Sequence, residues 1–289
     1  MATTSPLRAG IMLDGVPESS YTARATQFAA SGQFVGTPGS GTLIAPNWVL
    51  TVGHLGNPTG FQFGGTGTVH AVTQFIRHPT FIANGSNLIF GFDIALAQLA
   101  TPVTNVTPAT IYRGSSELGQ TATITGFGVG GFGSTGVTLP SAHRAGTNVL
   151  DGVFNFNDGP GGQIGISNAA FVTDFDSGAA AANTSGSSST TELEYQLATG
   201  DSGGGVYIVE DGQTFLVALN SAIASQRDVT GSGSTDIHGY GAISVYTRVS
   251  SYQLFIDNLV AVPEPGSLCL AALVVPGFWF LRRSRVGTK

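Results

Sequence analysis

From Gln27 to Val249 the chain is a succession of short runs rich in Val, Ile, Thr and Phe, separated by glycine-containing stretches, and that rhythm calls for a β-protein with many turns. The stretch "GTVHAVTQFIRHP" alternates apolar and polar residues with period two, and "GVYIVEDGQTFLVALNSA" reads as a hairpin turning at Asp211-Gly212. A chain with 42 glycines and only 10% charged residues is ill suited to a helical bundle. One segment changes period. In "SSYQLFIDNLV", Tyr252, Phe255, Ile256 and Leu259 fall at helical spacing behind a serine able to cap the helix, so the β region is expected to end in one amphipathic helix.

Several function classes fall away on charge and cysteine content. The net charge is −6, and basic residues cluster only at the extreme C-terminus, so the phosphate-neutralising face of a nucleic-acid binder is missing. The single cysteine, Cys269, permits neither an intramolecular disulfide nor a cysteine zinc site. His70, His78, His143 and His238 show no metal-type spacing and read as ordinary polar residues, so no metal and no cofactor are expected.

The chemistry concentrates in Gly200-Asp201-Ser202-Gly203-Gly204, which fits two patterns at once: the G-x-S-x-G elbow of α/β-hydrolases and a G-D-S-G-G nucleophile loop. The elbow needs a helix after the serine and an acid and histidine further on. Here a hairpin follows, and only His238 lies downstream, with Asp228 and Asp236 as acids. The opposite order fits better: His54 ends "NWVLTVGH", Asp93 opens "DIALAQL", and Ser202 comes last. A serine hydroxyl needs a base in hydrogen-bond reach and a third group to orient that base, and these three residue types supply the parts.

Taken together, "GTLIAPNWVLTVGH", "FDIALAQL", "TITGFG", "GDSGG" and "VYTRVSSYQLFI" resemble the trypsin-like serine peptidases of the chymotrypsin fold, over most of Gly41 to Leu259. The resemblance implies an all-β fold of two six-stranded antiparallel barrels with the active site in the cleft between them. It implies a triad of His54, Asp93 and Ser202, an oxyanion hole from the amides of Gly200 and Ser202, and peptide bonds as substrate. It also makes Asp201 the structural acid of the nucleophile loop, and Gln196 and Ser221 substrate-binding residues. Gln196 stands where trypsins carry an acid, so cleavage after Arg or Lys is not expected. Leu55 replaces a cysteine frequent in the family, and Ile11 is only a weak match to the new N-terminus that activates many members. A catalytically silent relative binding peptide or polysaccharide at the cell envelope is the alternative reading.

The ends speak to compartment. The first residues lack the apolar core of a secretory signal, yet the C-terminus carries Pro263-Glu264-Pro265, an apolar stretch from Leu268 to Leu281, and then Arg282, Arg283 and Arg285. That stretch is shorter than the roughly 20 residues of a bilayer-spanning helix, and the arginines suit the cytoplasmic face. The tail resembles the PEP-CTERM sorting signal of certain bacteria, implying export, a transient anchor in the inner membrane and processing by an exosortase-type enzyme. The expected organisation is therefore an N-terminal segment, 1–26, a peptidase domain, 27–260, with its internal boundary near 115–125, and a sorting tail, 261–289, holding the apolar segment 268–281. The low-complexity run Asp176 to Glu192 is expected to be a mobile loop.

Overall fold

β-prone runs joined by short turns pair with their chain neighbours, and the computed structural model, which describes residues 10–88, 91–154, 167–230 and 234–260, is dominated by such pairs. In chain order the elements are β1 (Ile11–Met12), α1 (Glu18–Ala25), β2 (Ser31–Val35), β3 (Ser40–Ala45), β4 (Trp48–Thr51), β5 (Gly60–Phe63), β6 (His70–Arg77), α2 (Pro79–Ala83) and β7 (Ala95–Leu99). Then follow β8 (Thr121–Gly126), β9 (Gly130–Phe132), β10 (Gly136–Leu139), β11 (Arg144–Val149), β12 (Gly152–Phe154), β13 (Ala170–Asp174), β14 (Tyr195–Gln196), β15 (Gly205–Glu210), β16 (Gln213–Ala224), α3 (Gln226–Thr230), β17 (Ile243–Arg248) and α4 (Gln253–Leu259).

Six strands, in the order β2-β3-β4-β7-β6-β5, close into a barrel. Leu43, Val49, Leu50, Phe61 and Leu96 fill it without exposure, and Phe61 meets Phe34 and Phe63 edge to face at 5.0 and 5.1 Å. The second unit departs from the expected closed barrel. Its main sheet has seven strands, β11-β8-β15-β16-β17-β13-β12, curled but open, and a four-stranded sheet, β10-β9-β1-β14, stands apart from it. The edges β11 and β12 carry no ladder with each other, although only Leu150-Asp151 separates them along the chain. Single bonds bridge the seam instead, from Asp151 N to Val172 O at 3.0 Å and from Asn148 Nδ2 to Asp174 O at 2.7 Å.

The N-terminal residues pack on this second unit. β1 lies between β9 and β14, and the fully buried Arg144 of β11 pairs with Glu18 of α1. At the other end, α4 forms where the helical spacing predicts it, with Tyr252 and Ile256 buried. The expected serine cap is not made: Ser250 donates to Glu117 and Ser251 to Asn168 O, and a 3-10 turn, Val249–Tyr252, leads into the helix. The run Asp176 to Glu192 is likewise fastened rather than loose. Thr184 N and Ser185 N donate to Asp174, and Thr191 donates through its backbone and hydroxyl to Glu194. Asp174 and Glu194, just outside either end of the run, supply the anchoring that its own composition lacks. The stretch 261–289, expected to be a sorting tail, lies outside the described residues, among which no helix is long and apolar enough to cross a membrane.

Candidate active site

Strands β4 and β7 pair in a register that sets Thr51 opposite Ala95, so the chain leaving β4 runs beside the chain entering β7. His54 and Asp93 sit on those two stretches. Asp93 accepts from the His54 backbone N–H at 2.9 Å through Oδ1, and its Oδ2 lies 2.8 Å from His54 Nδ1. On the other side of the ring, His54 Nε2 is 2.9 Å from Ser202 Oγ. The Asp93 side chain is 3% exposed and the His54 ring 24%. A buried carboxylate at Nδ1 selects the tautomer with the proton there, leaving the Nε2 lone pair to face the Ser202 hydroxyl.

The nucleophile loop between β14 and β15 is pinned to the first barrel, where Ser40 N donates to Ser202 O at 2.7 Å. Gly200 has φ +96°, and a Cβ there would come within 2.8 Å of Gly128 Cα, so only glycine fits. Gly203, at φ +83°, likewise has no room for a Cβ, which would run into Thr51 and Ser40 O. Val129 N holds Thr199 O at 2.7 Å and thereby orients the peptide whose N–H is that of Gly200. Asp201 is fully buried. Its carboxylate accepts the backbone N–H groups of Gly10 and Ala198 on Oδ2, at 3.0 and 2.9 Å, and that of Gly128 on Oδ1 at 2.9 Å. Burial pushes this carboxyl up to about 7, against the pull of the three amides. Ile11 itself is buried in β1, and it is the preceding amide, Gly10 N, that reaches Asp201.

A family model described as Trypsin matches residues 16–150, a span that includes His54 and Asp93. Over that span the chain is similar to the trypsin family. It is 36% identical over 89 residues to chymotrypsin-like elastase family member 1 of Rattus norvegicus, and equally to that of Macaca fascicularis, matches covering 27% of this chain. The chain thus spans about a third (32%) of the length of the curated relatives it matches. In fold it is similar to neuropsin, a serine protease expressed in the limbic system of mouse brain, with TM-score 0.57 and 20% identity over 86% of this chain and 98% of that one.

Around the triad lie two cavities that both border Gly200. One, of about 170 Å³, is lined by Ala198, Thr199, Ser202, Ser221, Ala222 and Ile223. The other, of about 270 Å³, is lined by Gln33, Phe34, Thr37, Pro38 and Phe127. Gln196 is fully buried, with Oε1 accepting from Ser244 Oγ at 2.6 Å and Nε2 without a partner among the described residues. Ser221 touches the first cavity, but its hydroxyl donates to Asp93 Oδ2 at 2.6 Å and so belongs as much to the triad.

Other groups that support the triad carry no local sequence signal. Arg77, at the end of β6, donates to the carbonyls of Gly53 and Leu55 on either side of His54, at 2.7 and 2.6 Å. Thr247 Oγ1 donates to Asp93 O at 3.0 Å. Phe92, in left-handed conformation at φ +62°, donates its N–H to Tyr252 OH at 2.9 Å, which fixes the backbone just before Asp93. Asn220 Nδ2 donates to Thr125 O and Asp201 O at 2.8 and 3.1 Å, joining β8 to the nucleophile loop. The remaining histidines stay outside the centre. His143 stacks on Phe127 at 4.3 Å, its pKa pushed down to about 4 by burial. His78 accepts from Thr80 N, and His238 sits beside Asp236 in its loop.

Proposed function

We propose that the chain is a serine endopeptidase acting through an acyl-enzyme, exported and held or processed at the cell envelope through its C-terminal tail. The observation that carries the catalytic reading is the position of His54, within hydrogen-bond distance of Asp93 on one ring nitrogen and Ser202 on the other. In the first step Ser202 Oγ attacks the scissile carbonyl while its proton passes to His54 Nε2, and the amides of Gly200 and Ser202 donate to the carbonyl oxygen as it becomes an oxyanion. The imidazolium then gives that proton to the leaving amine as the C–N bond breaks, leaving an ester on Ser202. Water attacks that ester, its proton moving to His54 and back to Ser202 Oγ as the acid product departs. Asp93 stays ionised throughout and steadies the imidazolium.

A cavity on each side of Gly200 supports binding of a chain that continues past the scissile bond in both directions, as an endopeptidase requires. The side next to Ile223 and Ala222 favours small or medium uncharged side chains at the cleavage position; Gln196 is not among the residues that line it but is fully buried against Ser244. The test is a fluorophosphonate probe on the purified chain: labelling expected in the wild type and lost in Ser202→Ala. A well-folded wild type that takes no label would instead fit a silent binding relative.

The localisation rests on the tail sequence, with an exosortase-type enzyme and transient contact with the inner membrane as the implied partners. A chain ending at residue 262 is expected to stay folded and keep its probe reactivity while losing association with the envelope. Retained envelope association in that truncated chain would remove the tail from the reading.

A further inference from the structure

The two cavities that border Gly200 have no other lining residue in common. The smaller is walled by the nucleophile loop and the end of β16, the larger, of about 270 Å³, by the hairpin of β2 and β3 together with Phe127. Ser40 ties the larger one to the nucleophile loop. Its hydroxyl donates to Gly200 O and accepts from Phe127 N, both at 3.2 Å, and its backbone N–H holds Ser202 O at 2.7 Å. With the side chain of the cleavage position in the smaller cavity, the larger one is left for the half of the substrate that departs as the amine.

The walls of that larger cavity are packed in place, aromatic and uncharged. Phe34 and Phe127 are only 6% and 5% exposed, so both rings are held by neighbours on their other sides. Phe34 meets Phe61 and Phe75 edge to face at 5.0 and 6.3 Å. Phe127 lies flat on His143, with ring centres 4.3 Å apart and planes 8° from parallel, and a Cβ on Gly65 would come within 3.1 Å of the Phe127 ring. Burial holds His143 down at about 4, so the imidazole behind Phe127 is neutral at pH 7. Gln33 and Thr37 supply the polar part of the lining, and Gln33 Nε2 is already taken by Gly65 O at 3.0 Å. Among the described residues that line the space there is no Asp, Glu, Lys or Arg.

We infer that the larger cavity selects the leaving half of the substrate and takes a bulky uncharged side chain there, phenylalanine or tyrosine foremost, an inference that rests on the peptidase reading above and deepens it. Aromatic walls already fixed by packing receive a ring at little ordering cost, and ring against ring is a favourable contact. A charged head would give up its water in this space and find no opposite charge. The contrast in size runs the same way, since the cavity on the acyl side has only about 170 Å³ and is narrowed by Ala222 and Ile223. Bulk is therefore selected after the scissile bond and a smaller side chain before it. Phe127 is the specificity-determining residue of the leaving side, as Ile223 is of the acyl side.

Partitioning of the acyl-enzyme tests this apart from the acylation step. A peptide ester acylates Ser202 of the full-length protein, and added amines then compete with water: the amine nitrogen attacks the ester carbonyl, the bond to Ser202 Oγ breaks, and the proton of the amine passes through His54 to Oγ. Gly-Phe-amide, Phe-Gly-amide and Gly-Gly-amide are compared at about pH 9, where all three amines are free bases, by the yield of new peptide against hydrolysed acid. At least one Phe-bearing amine is expected to capture the acyl group roughly tenfold better than Gly-Gly-amide, with Gly-Asp-amide and Gly-Lys-amide no better than Gly-Gly-amide. Phe127→Ala should remove most of that preference. So should Thr37→Trp, at the half-buried rim, by filling the space, and it serves where Phe127→Ala does not fold. Each preference is a ratio within one protein, so a general loss of activity cancels. Ile223→Gly, on the acyl side, should leave the ratio where it is. Equal capture of all the amines overturns the inference and leaves the peptidase reading standing, as does a preference that survives both rim and wall variants or one that changes with Ile223→Gly. A wild type that forms no acyl-enzyme overturns both.

Discussion

Ser221 Oγ donates to Asp93 Oδ2 at 2.6 Å, and it reaches the aspartate because residue 221 is the extra residue of a bulge. Along β16 the register with β17 shifts between Asn220, opposite Tyr246, and Ala222, opposite Val245. The bulge turns Ser221 off the regular alternation of the strand and toward the other unit. Asp93 thus accepts from three groups: His54 N, His54 Nδ1 and Ser221 Oγ.

The first prediction follows from that third bond. Ser221→Ala is expected to lower kcat about tenfold and to lower Tm by a few degrees, because a hydrogen bond to a buried charged acceptor contributes roughly 1.5–3 kcal/mol and two others remain. Steady-state kinetics on a peptide ester, with a melting curve alongside, checks it. An unchanged kcat would make the bond incidental to catalysis.

Arg77 is expected to act on the same histidine from behind. Its guanidinium spans the carbonyls of Gly53 and Leu55 and reaches Asn57 Oδ1 at 3.0 Å, a fork that a lysine cannot reproduce. Arg77→Ala should cost about 1–2 kcal/mol of stability, discounted for partial exposure, and reduce kcat more than it changes KM. Arg77→Lys should recover only part of either loss. Chemical denaturation and the split between kcat and KM measure both effects.

The residues legible in the sequence are those whose roles show in a local run. His54 ends an apolar strand, Asp93 opens one, and Ser202 sits among glycines whose space is filled by Gly128, Thr51 and Ser40. Their order along the chain carried the rest. Arg77, Thr247 and Tyr252 act across 24, 154 and 160 residues on backbone atoms, and a backbone partner leaves no trace in residue type. The bulge at Ser221 is invisible for the same reason, since one extra residue leaves the apolar pattern of β16 nearly intact. The open second sheet is illegible because strand runs alone do not say whether the two edges, β11 and β12, pair with each other.

Cleavage preference is expected to turn on Ile223, which lines the smaller cavity with Ala222. The wild type should cleave after Ala or Val in preference to Phe, and Ile223→Gly should raise kcat/KM for Phe relative to Ala by at least tenfold, since an apolar ring gains roughly 1.5–3 kcal/mol on burial. Neither form should favour Arg, because the acid on that cavity's wall, Asp201, is fully buried with its carboxylate turned to the amides of Gly10, Ala198 and Gly128. A panel of peptide substrates varied at the one position tests this, and wild-type preference for Arg would reject the pocket assignment.

Asp201 makes stability depend on pH in a direction its environment fixes. Unfolded, its carboxyl titrates near about 4, and folded, burial moves it to about 7. Between those values the folded chain holds a proton that the unfolded chain releases, so the stabilisation is fully present below the lower value and is lost as pH rises through 7. Three pKa units correspond to about 4 kcal/mol as an upper figure. Asp201→Asn has no proton to lose, but it turns an amide NH₂ toward the N–H groups of Gly10, Ala198 or Gly128, so it should be the less stable form throughout. The gap in Tm between wild type and Asp201→Asn should therefore narrow steadily from pH 5.5 to pH 8.5, and pairing the two proteins cancels the titration of every other acid they share. A gap that is constant or widens with pH would mean that the three amides hold Asp201 ionised well below neutrality, and that burial does not govern the acid beside the nucleophile.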